Sequence, residues 1–256
     1  LRDQGGFAPY LSSYLFDIKE ANYPATIEPV TEWFRNDLNT FQQRAVEKIL
    51  AAPDICLVQG PPGTGKTTVA RIMADVFKST GILSRGHLIE ADRSALVAGF
   101  TGQTAIKTNQ IIDSAMGGVL FIDEAYTLNG GAQDSFGLEA INTLLKRLED
   151  DKGKFICIVA GYSNEMNTFL DSNPGLPSRF SKKIHFPDYS ADEMTIIFRS
   201  MVAKKGMTLD AEADAAVPEI FENIVTHKDK NFANAREVRK LFESAITKQS
   251  NRLSVI

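Results

Sequence analysis

The sequence predicts an α/β fold, in which a doubly wound parallel sheet is followed by a small all-helical domain. Apolar runs at 55–58, 119–122 and 155–160 alternate with segments of helical periodicity, which is the pattern of a parallel sheet buried on both faces. The first run leads into a glycine-rich loop at 60–67 that opens a helix. Beyond Asp188 the strand-like runs stop and only helical patterns follow.

Composition places the chain among ordinary globular proteins. It has 256 residues, 23% of them charged, with a formal net charge of −4, which does not support a dominant nucleic-acid footprint. Its two cysteines, Cys56 and Cys157, both lie in strand-like runs, so we expect free buried thiols and a reducing compartment, the cytoplasm. No apolar run reaches transmembrane length and no leader opens the chain, so we expect no membrane association.

The elements follow in chain order from hydrophobic periodicity and turn residues. Residues 1–39 are rich in aromatic residues and proline without a sustained period, and they are predicted to form an arm with a short helix near 11–18. The α/β domain is assigned to 40–188 and opens with a helix that ends before Pro53. Its next elements are predicted as strand 55–58, helix 67–78, strand 87–90, helix 104–115, strand 119–122, helix 136–150 and strand 155–160.

The helical domain is assigned to 189–256. Its apolar residues recur at helical spacing in three segments, predicted as helices over 191–205, 211–225 and 235–251.

The glycine-rich loop predicts a site for the phosphates of a nucleoside triphosphate. Its glycines let backbone N–H groups curl around phosphate oxygens, Lys66 reaches the β- and γ-phosphates, and the Thr67 hydroxyl ligates Mg²⁺. The helix that starts at about Thr67 points the positive end of its dipole at the same anion. The predicted nucleotide-binding residues of this segment are Gly60, Pro61, Pro62, Gly63, Thr64, Gly65, Lys66, Thr67 and Thr68.

Two acids end the apolar run at 119–122 and supply the second half of the site. Asp123 is expected beside Thr67, where it holds Mg²⁺ largely through water, because this cation keeps a tight octahedron of oxygens. Glu124 is then placed to polarise the attacking water. The alternative is an acidic pair that caps the next element.

At this point the chain resembles the AAA+ ATPases, and among them the CbxX/CfqX family, which includes red-type Rubisco activases and the ATPase modules of type VII secretion. The resemblance covers about residues 60–251. The matching segments are Gly86–Glu90, Leu96–Ala105, Gly117–Leu128, Ala160–Tyr162, Asn173–Phe180, Phe186–Ser190 and Asn234–Arg239.

The resemblance implies a pore loop at Phe100, Thr101 and Gly102, an aromatic followed by a small residue and glycine. In ring ATPases of this kind such a loop grips a polypeptide in the central channel. The alternative is an aromatic residue in a buried turn, although the glycines at 99 and 102 favour an exposed loop.

The resemblance also implies two arginines that act on the nucleotide. Arg179 matches the arginine finger, which reaches the γ-phosphate held by a neighbouring subunit, and the alternative is a surface arginine paired with an acid. Arg236 matches sensor 2, with Arg239 one helical turn away as the other possibility. Sensor 1 is unassigned, with Asn164 as a candidate.

Upstream of the loop the sequence resembles a different class of protein. Residues 38–46 and 54–60 resemble the start of a superfamily-one helicase, in which a glutamine matching Gln42 recognises adenine. Domain recombination, an engineered fusion or a broader class that shares this start would each explain it, and Gln42 is alternatively a polar residue on a helix surface. The rival function is therefore a nucleic-acid-dependent, helicase-like ATPase, but no second RecA-like domain is readable after Tyr189.

The resemblance implies an ATPase that uses ATP and Mg²⁺. It is expected to work as a ring homo-oligomer, a hexamer, that remodels or translocates a client protein. A nucleotide-gated binding module without turnover is disfavoured because Glu124 and Arg179 are both present. Rubisco reactivation, secretion-linked remodelling and a sporulation role are all compatible with the family resemblance.

Overall fold

The computed structural model describes Gln43, Val46 and residues 55–100, 102–131, 134–180, 182–229 and 232–253. Gln43 and Val46 are both helical, within the segment where the first helix of the α/β domain is predicted. The predicted arm at 1–39 with its short helix, and Gln42 of the helicase-like segment, lie outside the described residues.

The sheet contains five parallel strands in the order β2-β3-β4-β1-β5, which confirms the predicted fold class. The strands are β1 (Ile55–Gln59), β2 (Leu88–Ala91), β3 (Val119–Ile122), β4 (Ile156–Gly161) and β5 (Lys182–His185). Sequence analysis missed β5. This edge strand contains a single apolar residue, Ile184, which is also its single buried one, so neither a continuous apolar run nor a full alternation marks it.

From Lys66 onward, the helices of the described residues include each predicted one within two residues at either end, and several short ones that were not predicted. They are α1 (Lys66–Ser79), α2 (Arg93–Leu96), α3 (Gln103–Ser114), α4 (Ser135–Asp150), α5 (Ser163–Asp171), α6 (Gly175–Arg179), α7 (Ala191–Lys204), α8 (Ala211–Thr226) and α9 (Ala235–Leu253), with a 3₁₀ turn at Ala125–Leu128. The missed elements α2, α5 and α6 are too short for a helical period to be counted reliably.

The sheet is buried on both faces. Along β1, Cys56 and Val58 face one side, where they pack with α1, whereas Leu57 faces the other side. That second face is covered by α3, α4 and α5 through residues such as Ile112, Leu144 and Phe169. Helices on both faces of a parallel sheet make the fold doubly wound.

The helical domain has a core of its own. Phe198 of α7 packs edge-on against Phe221 of α8 and Phe242 of α9, with ring centroids 5.9 and 6.0 Å apart. Ser190 begins α7 with a capping box, in which its hydroxyl accepts from the Glu193 N–H while the Glu193 carboxylate accepts from the Ser190 N–H. No described helix combines the length and the apolar character that a membrane span requires.

The topology brings the functional loops to one edge of the sheet. Since all strands are parallel, their carboxyl ends meet at the same edge. Strand β4 lies between β1 and β3, so the loop after β1 and the acids after β3 flank the end of β4. There the Gly60 N–H donates to the Gly161 carbonyl at 3.0 Å, which joins the start of the phosphate loop to the end of β4.

Candidate nucleotide-binding site

The glycine-rich loop adopts a conformation that side chains at two of its glycines would prevent. A Cβ on Gly60 would lie 2.3 Å from the carbonyl oxygen of Phe186. Gly63 has φ +73°, and a Cβ there would lie 2.2 Å from the carbonyl oxygen of Ala233. The glycines therefore allow the loop to pass between the chain after β5 and the start of the last helix of the helical domain.

Lys66 is the first residue of α1 and its ammonium is folded onto the loop. Its Nζ donates to the carbonyl oxygens of Gly60 at 2.8 Å and Pro61 at 2.7 Å. Burial lowers the pKa of Lys66 to about 8; the carboxylate of Asp123 opposes this shift, the guanidinium of Arg236 adds to it and Glu124 opposes it. Both acids and Arg236 therefore lie within electrostatic reach of the loop lysine.

Asp123 and Glu124 form a tight turn directly after β3. The Asp123 N–H donates to the Ala91 carbonyl at 2.9 Å, and its Oδ1 accepts from the Glu124 N–H at 3.0 Å. Glu124 has a left-handed backbone with φ 48°, which is uncommon for a residue with a side chain. The N–H and hydroxyl of Thr127 both donate to the Glu124 carbonyl, at 2.8 and 2.7 Å.

The geometry of this turn argues against the alternative in which the two acids only cap the next element. Glu124 occupies the cap position of the 3₁₀ turn, yet its side chain makes no capping hydrogen bond. Its exposed carboxylate faces a groove of about 560 Å³ lined by Asp92, Arg93, Ser94, Val97, Asp123, Glu124 and Thr127. The carboxylate is thus available to solvent beside Asp123.

The residues at this edge fit a nucleoside triphosphate with Mg²⁺. Loop N–H groups, the Lys66 ammonium and the N-terminus of α1 suit phosphate oxygens, while the Thr67 hydroxyl and the Asp123 carboxylate suit a hard cation. Among the described residues, no group of three or more His, Cys, Asp or Glu side chains is arranged to hold a metal ion without other ligands.

Arg179 ends α6 and pairs with Glu149 of α4 in the same chain. Its side chain is 37% exposed, and its Nε is buried without a hydrogen-bond partner among the described residues. The structure therefore brings the predicted finger to an acid of its own chain, as the alternative interpretation expects.

Arg236 lies in the first turn of α9, beside the phosphate loop. A Cβ on Gly63 would lie 3.2 Å from the Arg236 backbone nitrogen, and the Arg236 side chain is exposed. Arg239 is also exposed, one turn further along α9. Asn164, the sensor 1 candidate, is an exposed residue in the first turn of α5.

The predicted pore loop has a fixed base and an exposed tip. Side chains of α3 hold the base: the Ala98 N–H donates to the Thr104 hydroxyl at 3.1 Å, and Lys107 and Thr108 donate to carbonyls of the segment before the loop. Phe100 at the tip is 72% exposed, so the alternative of a buried aromatic residue is wrong. Gly102, directly before α3, has φ 80°, and Thr101 lies outside the described residues.

Sequence reasoning missed an ion pair that joins the pore-loop base to the acidic turn. The Arg93 guanidinium on α2 donates to both carboxylate oxygens of Asp134, at 2.6 and 3.0 Å, and to the Thr127 carbonyl at 2.7 Å. These residues are 34 to 41 positions apart in sequence, so no local pattern announces the contact. Contacts of Asn234 and Tyr189 with the phosphate loop were missed for the same reason.

Comparison with known proteins gives family matches along nearly all of this architecture. The family described as "ATPase family associated with various cellular activities (AAA)" matches residues 56–188, and the family described as "AAA lid domain" matches residues 190–256.

Several proteins from other organisms are similar in sequence. Stage V sporulation protein K of Bacillus subtilis is 46% identical over 198 residues, 77% of this chain and 62% of that protein. ESX-1 secretion system protein EccA1 of Mycolicibacterium smegmatis is 41% identical over 207 residues, 76% of this chain and 36% of that protein. The chloroplastic ribulose bisphosphate carboxylase/oxygenase activase of Cyanidioschyzon merolae is 42% identical over 195 residues, 76% of this chain and 66% of that protein.

The chain thus spans about one third to two thirds of the length of these relatives. Among solved structures, the FIGL-1 AAA domain in complex with ADP aligns with a TM-score of 0.57 at 20% identity, and the alignment covers 84% of this chain and 70% of that one. At this identity the likeness is one of fold.

Proposed function

The chain belongs to the AAA ATPases of the CbxX/CfqX type and is an ATP-hydrolysing enzyme, and on that premise we propose that it works as a homo-oligomeric ring, a hexamer, that remodels or translocates a client protein. The observation that carries the catalytic part is the meeting of Lys66, Asp123 and Glu124 at one edge of the sheet. ATP is the substrate and Mg²⁺ the cofactor in this proposal.

Each residue at the edge has a chemical task. Lys66 donates to β- and γ-phosphate oxygens, and Thr67 with Asp123 holds Mg²⁺ directly or through water. The cation, when bound, neutralises charge that develops on the phosphate oxygens. Glu124 accepts a hydrogen bond from the attacking water and orients it toward the γ-phosphorus. The water oxygen bonds to the γ-phosphorus as the bond from that phosphorus to the β-phosphate oxygen breaks. ADP leaves with the electron pair, and the proton of the water passes to the Glu124 carboxylate.

Two arginines complete the proposed site. Arg236, at the start of α9, contributes a positive charge from the helical domain of the same chain. Arg179 is proposed to leave Glu149 and reach the γ-phosphate of a neighbouring subunit, which couples hydrolysis to ring assembly. Its present partner is a partly exposed acid, and exposed pairs of this kind contribute about 1 kcal/mol or less, so the exchange costs little.

A protein client is favoured by the exposed Phe100 at the tip of a loop with a fixed base. The names of the relatives refer to sporulation, secretion and Rubisco activation, and the client of this chain is proposed only as a polypeptide. The two buried free thiols, Cys56 and Cys157, suit the proposed cytoplasmic location.

The test is the ATPase rate per chain measured against protein concentration, with and without single-stranded nucleic acid. A ring with a site shared between subunits predicts that the rate per chain rises with concentration and is indifferent to the strand. Glu124→Gln provides the control for contaminating activity, because it is expected to bind ATP and hydrolyse it far more slowly.

Two outcomes would contradict the proposal. One is a rate per chain that does not depend on concentration over the range in which the chain is monomeric, which would show that the active site is not shared between subunits. Strong stimulation by the nucleic acid would instead favour the helicase-like ATPase suggested by residues 38–46.

A further inference from the structure

The junction between the two domains contains a buried asparagine whose side chain bonds in three directions. Asn234 is fully buried directly before α9 and has φ 52°. Its Oδ1 accepts from the Tyr189 N–H at 2.8 Å, and its Nδ2 donates to the Pro62 carbonyl at 3.2 Å and to Oδ1 of Asp188 at 2.9 Å. These bonds use both donors of the amide and its acceptor oxygen.

Tyr189 provides a second link to the same loop. It is 4% exposed and packs in the core of the helical domain, while its hydroxyl donates to the Thr64 carbonyl at 2.9 Å. Between the two contacts, the Ala235 N–H approaches the Gly63 carbonyl at 3.4 Å. Three successive carbonyls of the phosphate loop therefore accept hydrogen bonds from the helical domain and the segment that leads into it.

These bonds fix the direction of the loop's N–H groups. In a planar trans peptide the carbonyl of one residue and the N–H of the next point in opposite directions. Holding the carbonyls of Pro62, Gly63 and Thr64 toward the helical domain therefore turns the N–H groups of Gly63, Thr64 and Gly65 away from it. Successive backbone N–H groups that point to the same side in this way bind an anion.

We propose that Asn234 and Tyr189 are positioning residues for the nucleotide: they align the phosphate-binding N–H groups of the loop and make the helical domain respond to what the loop binds. The inference rests on the proposed function, since its ligand is the nucleotide. Coupling between sites is reciprocal, so a domain that orders the loop for phosphate is itself held more firmly when phosphate is bound.

Few residue types fit the position of Asn234, so variants there can remove defined interactions. Asparagine tolerates a left-handed backbone and also supplies two donors and an acceptor. Asn234→Gly keeps the backbone conformation and removes all three side-chain bonds. Asn234→Asp keeps the shape but loses both donors and sets a second carboxylate against Asp188. Tyr189→Phe removes a single hydroxyl and keeps the buried ring.

The experiment compares the full chain with these variants in two measurements: the affinity for a fluorescent ATP analogue with Mg²⁺, and hydrogen exchange of residues 232–238 with and without that analogue. Thr195→Val is the matched control, because within the described part of the chain the Thr195 hydroxyl bonds only inside α7, to the Ala191 carbonyl. Its loss perturbs the helical domain without touching the loop.

We expect Asn234→Gly and Tyr189→Phe to bind about tenfold more weakly, the effect of losing a buried hydrogen bond. We also expect them to lose the nucleotide-dependent slowing of exchange at 232–238, whereas Thr195→Val keeps it. Asn234→Asp should behave at least as poorly as Asn234→Gly, and if Asn234→Gly does not fold, Tyr189→Phe decides.

The outcomes distinguish a failure of this inference from a failure of the proposed function. If the unmodified chain binds the analogue and both variants match it in affinity and in exchange response, the inference is wrong and the proposed function stands. If the unmodified chain does not bind the analogue at all, the proposed function fails and the inference fails with it.

Discussion

At the scale of single residues, burial and neighbouring charge set the chemistry of the site. Lys66 is held by two loop carbonyls, and burial lowers its pKa to about 8 against the opposing charges of Asp123 and Glu124. Glu124 has an exposed carboxylate and a backbone conformation that residues with side chains rarely take. The lysine is therefore poised to lose its proton within an accessible pH range.

The first prediction concerns the pH dependence of nucleotide binding. Phosphate groups favour the charged ammonium, so bound nucleotide raises the pKa of Lys66 above its value of about 8 in the free protein. Affinity is then fully present below about pH 8 and falls, toward tenfold per unit, as the pH rises above it. Titration of a fluorescent ATP analogue from about pH 7.5 to about pH 9.5 measures this.

The matched control for this prediction is Lys66→Arg. Arginine stays charged across this range, so its affinity, although lower, should not change with pH. A wild-type affinity that is flat to about pH 9.5, or a slope that persists in Lys66→Arg, would contradict the assignment of the proton to Lys66.

At the scale of elements, the Arg93–Asp134 pair ties three of them together. Asp134 accepts from the N–H groups of Gly130 and Gly137 and so caps α4, while Arg93 on α2 also donates to the 3₁₀ turn that follows Glu124. The pore-loop base, the acidic turn and the start of α4 therefore share one bidentate ion pair. Bidentate arginine–carboxylate pairs are geometrically stiff, which suits the transmission of small movements.

Arg93→Ala is expected to lower the free energy of unfolding by about 2 kcal/mol near neutral pH, because it leaves a largely buried carboxylate without its cation. The hydrogen bond from Arg93, opposed by burial, lowers the pKa of Asp134 to about 2. A carboxyl group whose pKa is lowered by folding stabilises the folded state at pH values above its pKa in the unfolded chain. This stabilisation is lost as the pH falls toward the folded-state pKa. The gap between wild type and variant should thus narrow from about pH 4 toward pH 2.

Urea unfolding at several pH values provides the measurement. Arg71→Ala is the control, since the Arg71–Glu90 pair is exposed on both sides and its loss should cost about 0.5 kcal/mol or less. Equal losses in the two variants would show that Arg93 contributes no more than a surface charge.

The pore loop gives the next prediction at this scale. Phe100 is 72% exposed, so Phe100→Ala should change the free energy of unfolding by about 0.5 kcal/mol or less and leave basal ATP hydrolysis intact. Processing of a fluorescently labelled, unfolded polypeptide should be lost. Ile196→Ala is the control, because Ile196 is 65% exposed on the helical domain. Undiminished processing by Phe100→Ala would remove Phe100 from client contact.

At the scale of the whole molecule, the phosphate loop lies where the two domains meet, and Arg179 is engaged elsewhere in its own chain. The loop contacts Asn234 and Tyr189 on one side and the end of β4 on the other. Arg179 pairs with Glu149, and no bond from it to the loop is present in the described residues. A finger contributed to another subunit is compatible with this arrangement.

Mixing two inactive variants tests that shared site. Arg179→Ala and Lys66→Ala should each hydrolyse ATP about a thousandfold more slowly or worse, because a finger in trans contributes several powers of ten. Mixed rings should regain activity, since each variant supplies the half-site that the other lacks. The rate is followed as a function of mixing ratio.

The control is the double variant Lys66→Ala/Arg179→Ala, which should rescue neither partner. If no ratio of the single variants restores activity while both variants assemble with wild type, Arg179 does not act in trans.

The sequence by itself determined the parallel α/β sheet, the helical domain after it and the family of ATPases. Continuous apolar runs and a phosphate loop are local patterns. They can be recognised without the tertiary structure because each depends on neighbours within a few residues. The same locality limits what they reveal. Strand β5, with Ile184 as its one apolar residue, and the short helices α2, α5 and α6 carry too little local pattern to be identified.

Only the tertiary structure decided which distant residues meet. It paired Arg93 with Asp134, brought Asn234 and Tyr189 onto the loop carbonyls, engaged Arg179 with Glu149 and exposed Phe100. A hydrogen bond between residues 125 or 172 positions apart leaves no period in the chain. Its existence depends on how strands and helices pack, which is set by the summed burial of many side chains rather than by the residues that form the bond.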